Sequence, residues 1–214
     1  EENDFWHKNK DRVLTKLVKN GSVLDIGAGT GSFSIKLAKA GMKTAYIDAS
    51  EKYYKIAKER AKEYNLNNIK FYNEYFPSKR IKERFDNVVI SGFIEHVEDD
   101  VNLLREIYKL LNPYGRVILL TSAYPWLYSN FDKSVGHYRR YTKKELKLKM
   151  ESVGFKVKFL KYWDVIGIPI LIITKITGRV PIYTHGLKNK FLNYLLDKWF
   201  VFFENKMIIP MGLD

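Results

Sequence analysis

Three glycines on alternate positions, Gly27, Gly29 and Gly31, follow the run Val23-Leu24-Asp25-Ile26. That run has the apolar character of a short buried parallel strand. Ser32-Phe33-Ser34-Ile35-Lys36-Leu37-Ala38 after it has helical spacing, so the glycines form a strand-to-helix turn. Glycine there permits positive φ and lets a ligand reach the backbone with no Cβ in the way. A dinucleotide fingerprint has the spacing G-x-G-x-x-G, with pyrophosphate on the helix N-terminus; here the third glycine comes one residue early. Asp25 stands two residues ahead of the first glycine, placed to receive a cationic amino group. About 20 residues on, Thr44-Ala45-Tyr46-Ile47-Asp48 ends a second strand in an acid, where a carboxylate can hold a ribose diol.

The chain has four histidines, His7, His96, His137 and His185, to serve as proton acceptors. His96 lies in Phe93-Ile94-Glu95-His96-Val97, just after the apolar run Val88-Val89-Ile90. His137 lies in the polar stretch after Arg116-Val117-Ile118-Leu119-Leu120-Thr121. Those two crossings flank the place an acceptor would occupy, which makes His137 the first candidate base and His96 the second. The competing roles are a loop histidine bonded to backbone for His137 and helix-start packing for His96. Arg139 and Arg140, beside Tyr138 and Tyr141, form a fork suited to a phosphate or carboxylate. Their place at a helix start opposes the helix dipole, which favours a ligand role over a solvated pair.

These residues need elements to hold them. A first helix is expected from Asp4 to about Lys19, with Val13, Leu14, Leu17 and Val18 as its apolar stripe and Asn20-Gly21 closing it. Trp6 and His7 precede that stripe, either near a cofactor mouth or packed on a sheet edge. Ser50 caps a helix with Tyr53, Ile56, Ala57 and Ala61 inward. Ile69-Lys70-Phe71-Tyr72 is a third strand, and beyond it Asn73 or Glu74 can touch a ligand or simply face water. Residues 85–90 form a fourth strand, residues 101–111 a helix and residues 116–121 a fifth strand after a break at Asn112-Pro113-Tyr114-Gly115. Residues 131–140 read as irregular, Thr142 caps a further helix ending at Gly154, and Phe155-Lys156-Val157-Lys158-Phe159-Leu160 alternates as a half-exposed strand should. The apolar run 165–173 is broken by Pro169, the run 191–203 is apolar nearly all round, and residues 207–211 suggest a last strand. The β-α alternation predicts a mostly parallel sheet covered on both faces.

The spacing of Asp25, Gly27, Gly29 and Gly31, the acid Asp48, the strand Phe85-Asp86-Asn87-Val88-Val89-Ile90 and the turn Leu111-Asn112-Pro113-Tyr114-Gly115-Arg116 resemble a class I S-adenosylmethionine-dependent methyltransferase. In the turn the family usually has Pro-Gly-Gly, and here Tyr114 intervenes. Phe93-Ile94-Glu95-His96-Val97 is similar to the ubiquinone-biosynthesis O-methyltransferases, and Gly136-His137-Tyr138-Arg139-Arg140-Tyr141 resembles a subgroup of their relatives. The resemblance implies an α/β, doubly wound, mostly parallel seven-stranded sheet over residues 1–214 as a single domain. Residues 164–205 would then be a helical cap or membrane-facing insertion. It also implies S-adenosylmethionine as cofactor, with contacts at Asp25, Gly27, Ala28, Gly29, Gly31, Asp48, Ala49, Glu74 and Ser91. The acceptor site would use His137 and His96 as bases and Tyr138, Arg139 and Arg140 as substrate contacts. Glu95-His96 is also similar to part of the Mg²⁺ site of small-RNA 2′-O-methyltransferases. Where those have a second glutamate this chain has Gly92, and one carboxylate with two imidazoles suits a hard cation poorly, so no metal is expected.

The expected reaction is methyl transfer to an oxygen or nitrogen of a small-molecule or lipid-linked acceptor. An RNA methyltransferase is the first rival and a binding protein without catalysis the second. Lysine and arginine number 37 against 24 acids, a net charge of +13 over 214 residues. Such a balance favours anionic lipid surfaces, nucleic acid or phosphorylated substrates, though no RNA-binding module is recognisable. There is no cysteine, hence no disulfide, thiolate metal site or thiol nucleophile. No run reaches the roughly 18 apolar residues of a membrane span, and the charged beginning lacks a signal core. The expected location is cytoplasmic, with peripheral attachment at a membrane as its extension. The two late apolar segments require cover, by the sheet, a homodimer partner or lipid.

Overall fold

The structure is a computed structural model and describes residues 5–164, 166–178 and 190–204. Its internal contacts divide it into two compact units, one of Leu14–Ile94 and Asp99–Leu120, the other of Glu1–Val13, Glu95–Glu98 and Thr121–Asp214.

The first unit is built on β1 (Val23–Ile26), β2 (Thr44–Asp48), β3 (Ile69–Asn73), β4 (Phe85–Ser91) and β5 (Leu111–Leu120). They form one sheet in the order β3-β2-β1-β4-β5, and every pairing is parallel. The order reverses between β1 and β4, and the crevice at the carboxyl ends of those strands is where open α/β sheets take ligands. β1 is buried along its whole length, as its apolar run requires. Val23 and Val89 pack with Phe33, Leu37, Ile118 and Leu14, the last contributed by α1 (Phe5–Leu17). The connections are α2 (Ser32–Lys39), α3 (Glu51–Glu63) and α4 (Asp100–Lys109). Ser50 and Asp99 cap α3 and α4 through their side chains, each accepting a backbone N–H.

Two polar residues at the head of β4 tie the loop before β1 to the sheet. Asn87, fully buried, accepts from Lys19 N–H at 2.9 Å and donates to the Lys19 carbonyl at 3.0 Å. The Asp86 carboxylate accepts from the Ser22 N–H and from the Asn112 amide, both at 2.8 Å. These bonds hold the Asp86 carboxyl below its ordinary value, the Ser22 backbone bond first and the Asn112 bond second. A carboxyl lowered by folding contributes stability above its unfolded pKa and loses it as pH falls through the folded one. The urea midpoint of Asp86→Ala should therefore lie well below the parent's at neutrality, and the gap should close below about pH 4. A gap independent of pH would refer the effect to packing.

The break expected at residues 112–115 is a bulge within β5. Leu111 pairs with Phe85, and the ladder resumes with Arg116 opposite Asn87. Tyr114, where the resembling family has glycine, adopts φ +63° and stands almost fully exposed.

The second unit is mostly helical. It holds a 3₁₀ turn at Ile94–His96 that begins one residue before it, a second at Pro125–Leu127, then α5 (Asn130–Ser134), α6 (Lys143–Val153), α7 (Gly167–Thr177), α8 (Lys190–Trp199) and a π turn at Phe200–Glu204. Three expectations change here. Residues 131–140 are not wholly irregular: α5 is nucleated by a reciprocal capping box between Ser129 and Asp132. Pro169 does not break its segment; it sits in the first turn of α7, where a missing N–H is tolerated. Phe155–Leu160 pairs with no strand among the described residues, and a strand needs a partner edge as well as alternation. The described residues thus hold five strands where seven were expected. The expected strand at 207–211 lies outside the described residues, as do His185 and residues 179–189 between the two late apolar segments. No helix among the described residues is long and apolar enough to cross a membrane.

α1 contributes to this unit through its first residues. Trp6 donates its indole N–H to Asp164 at 2.9 Å and packs on Trp163, which ties the start of α1 into this unit. Ile168 of α7 packs on Leu127, with Tyr124, Leu171 and Ile172 around them.

Candidate functional site

Within the sheet unit, the glycine turn is held from β2. The Gly29 N–H donates to Asp48 Oδ2 at 2.8 Å, and the Tyr46 hydroxyl donates to the Gly29 carbonyl at 2.7 Å. Asp48 Oδ1 accepts from Ser50 N–H, also at 2.8 Å, so the carboxylate bridges the turn and the start of α3. Burial, followed by the charges of Asp48 and Asp25, pushes the Tyr46 phenol well above its ordinary value and keeps it a donor. Asp25 is buried, its Oδ2 accepting from the Ser34 hydroxyl at 2.6 Å.

The glycines divide by what surrounds them. A Cβ on Gly31 would meet the Ala57 Cβ at 2.6 Å, so that position serves the packing of turn on helix. A Cβ on Gly29 would meet nothing within 4 Å, yet its φ is +54°. The backbone there is both left-handed and open, which is the form of a cradle for a ligand. Ala28 hangs on the Ile47 carbonyl in the same turn, Ala49 lies exposed beside Asp48, and Ser91 closes β4 opposite Leu120. Glu74 is engaged by Ser78 and by Arg80 at 3.2 Å.

In the second unit the polar residues after β5 converge on Asp132, which the sequence did not single out. Its carboxylate is fully buried and meets four donors. Oδ2 accepts from the Ser129 N–H at 2.9 Å and the Ser129 hydroxyl at 3.2 Å. Oδ1 accepts from Arg140 Nε at 2.7 Å and lies 3.0 Å from His137 Nδ1. Burial works to raise this carboxyl, but the His137 bond and the Arg140 guanidinium outweigh it and hold it below its ordinary value. The His96 ring meets the His137 ring edge to face at 4.6 Å. Burial first, and His137 second, push His96 below the usual imidazole range, so it favours the neutral form.

The structure therefore brings His96 and His137 together and separates the two arginines. Arg140 is buried, with Nη1 on the Ala123 carbonyl at 3.2 Å, and its charge is spent on Asp132. Arg139 is directed to the Glu98 carbonyl, and Tyr138 is exposed with its N–H on the Glu95 carbonyl at 2.8 Å. The buried Glu95 carboxylate accepts from Thr121 at 2.8 Å and Ser122 at 3.3 Å. Asp132 had a signal in the sequence, the Ser-x-x-Asp spacing of a capping box; Tyr46 had none beyond its place in an apolar strand.

Residues 1–158 match the family model described as methyltransferase domain. The chain belongs to that family. Both the glycine turn and the Asp132 cluster lie inside the matched residues. The methyltransferase domain is similar to the demethylmenaquinone methyltransferase of Listeria welshimeri, 28% identical over 128 residues, 56% of this chain and 52% of that protein. It is also similar to the protein of the same name from Oceanobacillus iheyensis, 30% identical over 128 residues, 56% of this chain and 54% of that one. The chain spans about half the length of the curated relatives it matches. Among solved structures, YcgJ of Bacillus subtilis superposes with a TM-score of 0.65 at 19% identity, over 75% of this chain and 73% of that one. A methyltransferase from Aquifex aeolicus gives 0.57 at 19%, over 71% and 82%. These likenesses show the fold.

The cofactor that the family implies is S-adenosylmethionine, and the residues present fit it. The open backbone at Gly29 admits a nucleoside, and Asp48 is a carboxylate at the carboxyl end of β2 where a ribose is held.

Proposed function

We propose that this methyltransferase domain moves a methyl group from S-adenosylmethionine to an oxygen or nitrogen of a small-molecule or lipid-linked acceptor. The observation that carries this is the turn at Gly29, left-handed, open on its outer side and gripped by Asp48 and Tyr46. The name of the curated relatives, demethylmenaquinone methyltransferase, supports a lipid-linked acceptor related to a quinone, whose reduced form carries O–H groups. The cofactor supplies an electrophilic methyl on a sulfonium, so the protein's work is chiefly proximity and alignment.

The chain's own groups handle the proton. An Asp132 carboxylate on Nδ1 favours the tautomer with hydrogen on Nδ1, which leaves Nε2 as the basic nitrogen. With the cofactor bound, His137 Nε2 would accept the proton that an acceptor O–H or N–H gives up on methylation. Arg140 keeps Asp132 ionised and fixed for that task. Neutral His96 against His137 supplies a second imidazole without a competing charge.

Asp48→Ala tests the cofactor half of this reading. It removes a charge-assisted bond to the ribose, worth roughly 1.5–3 kcal/mol, and also frees the Gly29 and Ser50 N–H groups. Calorimetry should show affinity for S-adenosylmethionine lower by about ten- to a hundredfold. Unchanged affinity would overturn the reading. Mass spectrometry of what gains a methyl in a crude extract identifies the acceptor.

A further inference from the structure

Helix α8 carries its apolar stripe on the outside. Phe191, Tyr194, Leu195, Lys198 and Trp199 recur at i, i+3, i+4, i+7 and i+8 and so share one face, and Phe202 of the following π turn joins it through Lys198, whose Nζ lies over its ring. The five apolar members of that face are between 40% (Trp199) and 69% (Phe191) exposed. Trp199 also stacks on Phe203, itself exposed, at 4.8 Å. The opposite face is partly polar where it meets α1: Asp197 accepts from Asn9 at 2.8 Å and from Arg12 at 2.6 Å. Phe200 completes the inner contact, on Phe5 and Trp163. A soluble helix turns its stripe inward and its polar residues outward; here part of the polar set is the anchor.

We propose that this face docks on an anionic membrane surface, with α8 lying in the plane of the headgroups. Ten residues at about 1.5 Å each give roughly 15 Å, half the hydrocarbon thickness, so the helix can lie on a bilayer and not cross it. Aromatic and aliphatic side chains on one face with a lysine among them is the composition of an interfacial helix. Charge decides the occupant. The chain carries +13, and among the six residues of the stripe the charged one is Lys198, whose Nζ stays over the Tyr194 and Phe202 rings. The acid of the same turn, Asp197, is directed to Arg12. A second copy would bring the same positive charge against it, and in a two-fold interface each patch meets itself. An anionic leaflet attracts it.

Flotation with vesicles of phosphatidylcholine mixed with phosphatidylglycerol, beside vesicles of phosphatidylcholine alone, tests this. The parent chain should float with the mixed vesicles, less so as salt rises, and Trp199→Glu with Phe202→Glu should reduce binding by about tenfold or more. Affinity for S-adenosylmethionine should stay that of the parent, which shows the paired variant folded and separates this outcome from any failure of the methyl-transfer reading. Should the paired variant not fold, Trp199→Phe decides instead: brominated acyl chains should quench the parent's tryptophan fluorescence, and this variant should lose much of that quenching. The proposal is overturned if neither vesicle binds, if the paired variant binds like the parent, or if Trp199→Phe is quenched as strongly as the parent. It is also overturned if the parent is a dimer that the paired change disperses without any lipid binding, an outcome that assigns the face to a second copy.

Discussion

Gly29→Val should bind no S-adenosylmethionine at concentrations that saturate the parent chain, while remaining folded. A Cβ at Gly29 has nothing within 4 Å to strike, so the fold meets no clash. The penalty inside the protein is the backbone at φ +54°, which a β-branched residue tolerates poorly, about 1–3 kcal/mol. That is within the 5–15 kcal/mol stability of an ordinary domain. The branched side chain instead fills the outer side of the turn, where the ligand must approach the backbone. Calorimetry against S-adenosylmethionine and a thermal melt together distinguish this from Gly31→Val, whose Cβ would collide with Ala57 and disturb packing. Normal affinity in Gly29→Val would remove the turn from the cofactor's path.

His137→Ala should lower turnover by about 10²–10⁴-fold with cofactor affinity nearly intact, the range expected when a positioned base is lost. Asp132→Asn is the companion. It keeps the shape but replaces the acceptor on Nδ1, so the imidazole is no longer held in one tautomer. Turnover should fall with KM little changed, and added imidazole should restore part of the rate to His137→Ala and none to Asp132→Asn. A loss under about threefold in His137→Ala would make the histidine a scaffold residue and transfer the test to His96.

The sheet and its turn were legible because the residues that make them act locally. Val23 to Ile26 must be buried to be so apolar, and glycines at 27, 29 and 31 have few uses outside a turn. Asp48 was legible from its distance along the chain, though its grip on Gly29 N–H was not. Tyr46 was hidden because a strand tyrosine is usually core, and nothing in the pattern says its hydroxyl reaches a carbonyl 17 residues back. Asp132 was hidden for a related reason. Its partners His137 and Arg140 lie five and eight residues on, and only the short helix α5 turns the carboxylate back to meet them. The pair Arg139-Arg140 read as a unit, yet adjacent residues diverge, so one arginine is buried and its neighbour is not. In α8 the sequence showed an excess of apolar residues; which side faced out depended on Asn9 and Arg12, some 185 residues away.

The two-sided grip on Gly29 has a kinetic consequence. With the carbonyl held by Tyr46 and the N–H by Asp48, the turn is in shape before any nucleoside arrives, and binding need not wait for a loop to order itself. Substitutions that slacken either bond then add a slow rearrangement to capture and shorten residence at the same time. Both ties originate in β2, so a nucleoside resting on the turn also braces that strand against opening. Amide hydrogens of β2 and of the Gly29 turn should exchange as one group, slowed together when the ligand is present.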